Sequence, residues 1–374
     1  MRITGITSRI LSYDVSAIYG EVGPPTEISS EYRYSFDTLH TDEGIDGHTM
    51  QFGWLGEGQA MGHALHQGYG RFLIGRNPLE PEKLWQDLRR QNRHQYNLTD
   101  ALVGAIDVAV WDIRGKVAGQ PIAELLGLAR RTIPTYATAI TVNPTPEQVF
   151  EEAQLRVAQG YRGFKIQFWD GLDLDIPRFR AAREAVGPDF PLFQDAAGFY
   201  SWTEALGAGY VLDELNYRWF EEPIPDREVF QLKRLTDELR TPILAGETSR
   251  LHELPEFLRI GAADLVRGDV LIKGGITGLR KAAAAAELFG FNVEIHGLGS
   301  PLLDVANLHV ALSIENCEFS EGHDSLYSLG LIGEPLAIDA DGNRRLPLGP
   351  GLGVELDWDW IDDHTVELIR TPEA

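Results

Sequence analysis

The chain has 374 residues, 43% of them hydrophobic, enough for two domains with buried cores. Its formal net charge of −23 argues against a nucleic-acid partner, since little positive charge is left over to neutralise phosphates. A single cysteine, Cys317, excludes an internal disulfide and fits a reducing, cytoplasmic setting, and no run of 18 apolar residues is present to span a membrane.

The N-terminal stretch MRITGITSRILSYDV alternates polar and apolar residues like a strand and lacks the continuous apolar core of a secretion signal. Residues 1 to about 60 read as strands and turn-rich loops. From about 80 to 127 the pattern becomes helical: Leu102, Ile106, Ala109, Val110 and Ile113 fall on one face, and Gly119 and Pro121 stop the helix. From about 132 to 325, eight short β-rich runs alternate with amphipathic helical stretches: 133–138, 163–168, 190–195, 217–222, 242–247, 263–269, 291–296 and 317–321. This rhythm predicts a parallel sheet, closed as a barrel or open and doubly wound. The expected organisation is an α+β capping domain over 1–128, the barrel over 129–330, and a segment 331–374 that returns to the capping domain.

Each run after the first ends in a residue that can do chemistry: Lys165, Asp195, Glu221, Glu247, Asp269, His296 and Glu321. The steps between them are 30, 26, 26, 22, 27 and 25 residues, one polar residue per strand–helix unit. A closed barrel gathers such ends at one mouth, whereas an open sheet strings them along a line, so the pattern favours the barrel.

Asp195, Glu221 and Glu247 end three consecutive strands. Three carboxylates aimed into one cavity repel each other unless a cation neutralises them, and all-oxygen ligation suits a hard ion such as Mg²⁺. Helix capping is the competing use for any one of them. Asp269 and His296 end neighbouring strands; a carboxylate that orients an imidazole and raises its basicity makes a general base, where a lone histidine would read as core. Lys165 is a base if neighbouring cations depress its pKa, or else a holder of anionic oxygen. Glu321 faces substrate oxygen, with Glu318 in the same run as its competitor. Arg267 and Glu294, two residues before Asp269 and His296, are expected to pair beneath them, because strand alternation puts them on the same faces. Cys317 reads as core.

These residues resemble the enolase superfamily in its mandelate racemase branch, over nearly the whole chain. The carriers are ALVGAIDVAVWDIRGKVAGQPIAELLG (101–127), followed in order by QDAAG, FEEP, AGET, RGDVLIKGGITG and EIHG. The resemblance implies a modified (β/α)₇β TIM barrel under an α+β N-terminal capping domain. It implies Mg²⁺ on Asp195, Glu221 and Glu247, an Asp269–His296 base, and Glu321 facing the substrate carboxylate. The shared chemistry is removal of a proton next to a carboxylate, giving a metal-stabilised enediolate. A homo-oligomer is expected on the same ground.

One position departs from the family. Where many members carry Lys-x-Lys on the second strand, this chain has Lys165 and then Gln167. An amide is no base, so a two-base racemase is not the natural reading. A dehydratase needs only one, with Gln167 left to contact a sugar hydroxyl. The expected substrate is therefore a sugar acid, aldonate or aldarate, converted to a 2-keto-3-deoxy acid. Racemase or epimerase, lactone cycloisomerase and non-catalytic sugar-acid binding protein remain open alternatives. Tyr19, His48 and Trp54, with Arg33, are expected to reach the distal end of the substrate from the N-terminal loops; Trp169, Asp170, His323 and Asp324 extend the mouth.

Overall fold

The structure, a computed structural model, describes residues 1–14, 31–51, 56–93, 99–139, 143–322 and 329–372. Alternation at the N-terminus becomes β1 (Ile3–Asp14), which pairs antiparallel with β2 (Glu31–Thr41), itself paired with β3 (Gly47–Gln51). The helical stretch becomes helices Pro81–Asn92 and Asp100–Ala118. All five residues of the stripe read from the sequence are buried, in a core shared with Leu84, Trp85 and Leu88. The second helix is buried almost all round, and Gly119 ends it with φ of 67°, a left-handed cap that glycine adopts without steric cost.

The eight runs all become parallel strands: β4 (Thr132–Thr138), β5 (Phe164–Gln167), β6 (Leu192–Asp195), β7 (Trp219–Glu221), β8 (Ile243–Ala245), β9 (Leu265–Gly268), β10 (Asn292–Ile295) and β11 (Ser320–Gly322). They pair in sequence order, and β11 pairs with β4 to close the barrel. β5 to β11 are shorter than their runs, whereas β4 starts one residue earlier than its run and β11 ends one residue later. Tyr136, Phe193, Trp219 and Phe319 plug the interior; Phe193 and Trp219 stack with centroids 3.8 Å apart, and the other ring pairs meet tilted or edge-on. The bottom of the barrel is thus packed apolar and the mouth is left for polar groups.

After the barrel, β12 (Asn343–Arg345) adds antiparallel to β4, and β13 (Thr365–Thr371) runs antiparallel to β1. The capping sheet is therefore ordered β13-β1-β2-β3, built from both ends of the chain. The cap docks on the barrel through tryptophans and one buried acid. Trp85 donates to the Gly274 carbonyl at 2.5 Å, Trp111 to Thr277 Oγ1 at 2.9 Å, and Asp107 accepts from the Thr277 amide and hydroxyl at 2.8 Å each. No helix among the described residues is long and apolar enough to cross a membrane.

Candidate active site

The strand ends meet at one rim. Gln167, Asp195 and Glu221 close β5, β6 and β7, Lys165 lies two residues inside, and Glu321 lies in β11. Glu247, Asp269 and His296 stand one or two residues past β8, β9 and β10. Parallel register sets Gln167 beside Asp195 and Asp195 beside Glu221, so these side chains share a layer.

Lys165 sits at the centre. Its buried ammonium lies 2.6 Å from Glu321 Oε1, 3.2 Å from Asp195 Oδ2 and 3.4 Å from Glu221 Oε1. Burial disfavours the charge, but Glu221, Glu321 and Asp195 outweigh it and hold the pKa well above the ordinary lysine value. Its nearest partners are three carboxylates, so of the two readings of Lys165 this arrangement favours the holder of anionic oxygen over the base. Glu321 also accepts from Thr138 Oγ1 at 2.7 Å and from the Gly297 amide at 2.8 Å. Its competitor Glu318 points outward instead, onto Arg218.

The expected Arg267–Glu294 pair does not form. Arg267 Nε lies 2.8 Å from Glu221 Oε1 and 3.7 Å from Glu247 Oε2, while its Nη2 pairs with Glu321 and its Nη1 donates to the Tyr136 hydroxyl at 3.2 Å. Glu294 is the register neighbour of Arg267, but its carboxylate accepts the amides of Glu318 (3.1 Å) and Phe319 (3.2 Å). β10 and β11 pair only at Ile295 and Ser320, so the amides leading into β11 lack a ladder acceptor, and a buried carboxylate supplies it. Arg267 is drawn instead to the carboxylates on the barrel axis.

His296 Nδ1 lies 3.1 Å from Asp269 Oδ2, and Asp269 Oδ1 is held by the amides of Leu271 and Ile272 at 2.7 and 2.8 Å. The Asn307 amide anchors the His296 carbonyl at 2.9 Å. Nε2 is left facing the mouth, 3.8 Å from Glu247 Oε2. Burial opposes the imidazolium, but Glu247 and the Asp269 bond prevail and raise the pKa to about 9. Gln167 donates to Asp195 Oδ2 at 2.8 Å, so the amide steers a carboxylate.

The mouth carries more negative than positive charge. Glu222, held at φ of 39°, has its pKa driven far up, first by burial and then by Glu247, Asp226, Asp195 and Glu221. The Glu247 carboxylate stands at longer range, 3.7 Å from Arg267 and 3.8 Å from His296. Among the described residues no three acidic or histidine side chains converge closely enough to hold a metal as they stand, because Asp195 and Glu221 turn onto Lys165 and Arg267. The donor chemistry nevertheless fits a hard divalent cation: carboxylates on three consecutive strands, all-oxygen, with a surplus of charge around them.

Several expectations fall elsewhere. His48 does not face the rim. Its ring stacks on Phe36, meets Trp358 edge-on and bonds to Thr38, in a cleft of about 330 Å³ lined also by Asp112, Lys116 and Leu302. The reason is strand register: in β3 the His48 side chain lies over β2 and the C-terminal segment, where burial pushes its pKa down to about 3. Arg33 is taken up by Gln59 and Glu31, and Asp170 turns back onto Arg178. Tyr19, Trp54, His323 and Asp324 lie outside the described residues. Cys317 is buried, with its thiol pKa pushed well up by burial and Glu294. Thr138 was missed, because a search of strand ends for ionisable groups passes over a neutral hydroxyl, even one at the mouth-side end of β4.

Residues 25–127 match the mandelate racemase / muconate lactonizing enzyme N-terminal domain, and residues 148–360 the enolase C-terminal domain-like family. The chain is similar to the D-galactarolactone cycloisomerase of Agrobacterium fabrum, 31% identical over 83% of this chain and 88% of that one. It is 32% identical to the arabinonate dehydratase of Saccharolobus solfataricus, over 73% and 74% of the two chains. Among solved structures, the D-glucarate dehydratase from Agrobacterium tumefaciens complexed with magnesium superposes with a TM-score of 0.85 at 30% identity, covering 98% of this chain and all of the other.

Proposed function

The chain belongs to the mandelate racemase / muconate lactonizing enzyme family, and on that premise we propose that it is a magnesium-dependent dehydratase of a sugar acid. The observation that carries this reading is the asymmetry of the mouth. The Asp269–His296 pair is poised on one side, and on the other the place of a second base is taken by Gln167, which is spent on Asp195.

In this reading Asp195, Glu221 and Glu247 hold the cation. When bound, it supplies positive charge against the substrate carboxylate as that group gains electron density. His296 Nε2, in its neutral form, takes the proton from the carbon next to the carboxylate; Asp269 fixes the tautomer and stabilises the imidazolium. Lys165 and Glu321 face the oxygens of the resulting enediolate, the ammonium offsetting its charge and the carboxyl group accepting or sharing a hydrogen bond. The C–O bond at the next carbon then breaks, and the proton held by His296 leaves with the hydroxyl as water. The enol product tautomerises to a 2-keto-3-deoxy acid. One base thus serves as the departing acid, which requires both groups to leave from one face.

The cycloisomerase relative favours a second reading, in which the same proton abstraction opens or rearranges a lactone. A library of sugar acids with Mg²⁺, assayed with semicarbazide for 2-keto products, tests the proposal. A keto product from one stereochemical series supports dehydration. Exchange of the α-proton in D₂O with no keto product overturns it in favour of isomerisation.

A further inference from the structure

Above the Gln167–Asp195 bond, the same two strand ends carry a pair of aromatic rings. Trp169 is two residues past the end of β5 and Phe199 four past the end of β6; their rings stack with centroids 4.8 Å apart and planes 12° from parallel. Phe199 is 66% exposed. A large exposed aromatic side chain is ordinarily unremarked, but this one is presented at a backbone cost. Its turn passes through Ala197 at φ of 46°, a left-handed conformation that disfavours any residue with a side chain, and then Gly198 at 74°. Two hydrogen bonds hold that turn: the Ala197 amide to Asp195 Oδ1 at 2.9 Å and the Gly198 amide to the Glu222 carbonyl at 2.8 Å.

The two loops are also locked to each other. Asp175, fully buried, accepts the amides of Asp170 and Gly171, which follow Trp169, at 3.3 and 3.1 Å. It accepts the hydroxyl of Tyr200, which follows Phe199, at 2.6 Å. Arg178 closes the hub with a bond to Asp175 at 3.0 Å and one to the Pro144 carbonyl at 2.7 Å. One carboxylate therefore fixes the positions of both rings. A rigid, exposed aromatic surface gains nothing from water; it gains from an apolar face laid against it.

We propose that Trp169 and Phe199 form the wall that sets substrate specificity, taking the C–H face of the non-reacting carbons of the sugar acid while the carboxylate end lies toward Lys165. The inference rests on the sugar-acid reading above. The stacked rings reward a substrate that turns a run of carbon-bound hydrogens to one side, so discrimination falls on the hydroxyl stereochemistry of the distal carbons.

The test uses the turned-over substrate from the library screen, with Phe199→Ala, Trp169→Ala and Tyr200→Phe, and an analogue truncated to lack the distal carbons. Losing an aromatic contact is expected to raise KM for the full-length substrate by about tenfold with kcat changed little. The truncated analogue is expected to be indifferent to either alanine variant. Tyr200→Phe keeps every ring and removes only the bond to Asp175, so a smaller rise in KM is expected from loosening alone. Unchanged KM in both alanine variants, or an equal rise for full-length and truncated substrates, overturns the wall while leaving the sugar-acid reading intact. Should the unaltered enzyme exchange no α-proton with any sugar acid, the underlying reading fails first, and the wall with it.

Discussion

Replacing Arg267 by Met separates the ion network drawn here from the one that strand alternation suggests. Arg267 is fully buried and sits against Glu221 at 2.8 Å and Glu321, with Glu247 at 3.7 Å. Methionine fills similar space but leaves Glu221 and Glu321 buried with only Lys165 between them. Breaking a buried charge pair from one side costs about 3–5 kcal/mol. For 374 residues, an unfolding entropy of about 2.1 cal/mol/K per residue converts this to a fall in Tm of about 4–6 °C. Calorimetry in chelated buffer measures it. Two double-mutant cycles then locate the partner. With Glu221→Gln the coupling is expected to exceed about 1 kcal/mol; with Glu294→Gln it is expected to stay below about 0.5 kcal/mol, as for groups without direct interaction. A large coupling to Glu294, or no change in Tm for Arg267→Met, refutes the network.

Three further outcomes are expected. His296→Asn is expected to lower α-proton exchange by about 10²–10⁴-fold, read by proton NMR in D₂O, with Tm retained within a few degrees. Mg²⁺ at about 100 times its Kd is expected to stabilise the protein by about 2.7 kcal/mol, and Glu247→Gln to abolish most of that shift in a thermal melt. Asp37 in the capping sheet, bonded to Ser35 at 2.6 Å, Gln51 at 2.5 Å and Ser8, has its pKa raised by burial from 3.8 to about 6. The folded state then binds this proton more tightly than the unfolded chain, so ionising Asp37 costs stability as pH rises from 3.8 through 6. The cost approaches about 3 kcal/mol above that window. Asp37→Asn is expected to gain on the parent by that order between pH 4 and 7 in urea titrations; a difference that stays flat with pH contradicts the assignment.

The barrel was legible because its signal is periodic and redundant. Seven polar strand ends at near-equal steps survive errors of two or three residues in any one boundary, and seven of the eight strands, all but β4, are indeed shorter than their runs. The partners within the mouth were less legible. Alternation places Arg267 and Glu294 on the same faces, yet pairing is decided by which groups lack other partners, and the unladdered amides of Glu318 and Phe319 appear only once β10 and β11 are seen to touch at a single residue pair. For the same reason the choice between the two readings of Lys165 was not legible: its pKa depends on the three carboxylates within 3.4 Å, and a spacing in sequence carries no sign for such a sum. His48 shows the limit of reading loops. A histidine beside turn-rich sequence looks available for a ligand, but strand register in β3 commits it to Phe36 and Trp358. The Asp175 hub was invisible as a hub because its donors come from two separate loops.

The sheet order β13-β1-β2-β3 has a consequence for biosynthesis. β1 is translated before the barrel, and its neighbour β13, paired from Ile6–Thr371 to Leu11–Thr365, after it. Every residue of the barrel is translated between the two. While the barrel is being made, β1 therefore presents an open edge, with its backbone donors and acceptors on that side awaiting a strand that does not yet exist. Closure across so long an interval is entropically slow for a free chain, so a folded barrel, by bringing the two ends near each other, is what makes late completion of the cap fast enough. Nascent chains arrested before residue 365 are expected to carry a finished barrel beneath an unfinished cap, and it is in that interval that the protein is most exposed to edge-to-edge pairing with its neighbours on the same polysome.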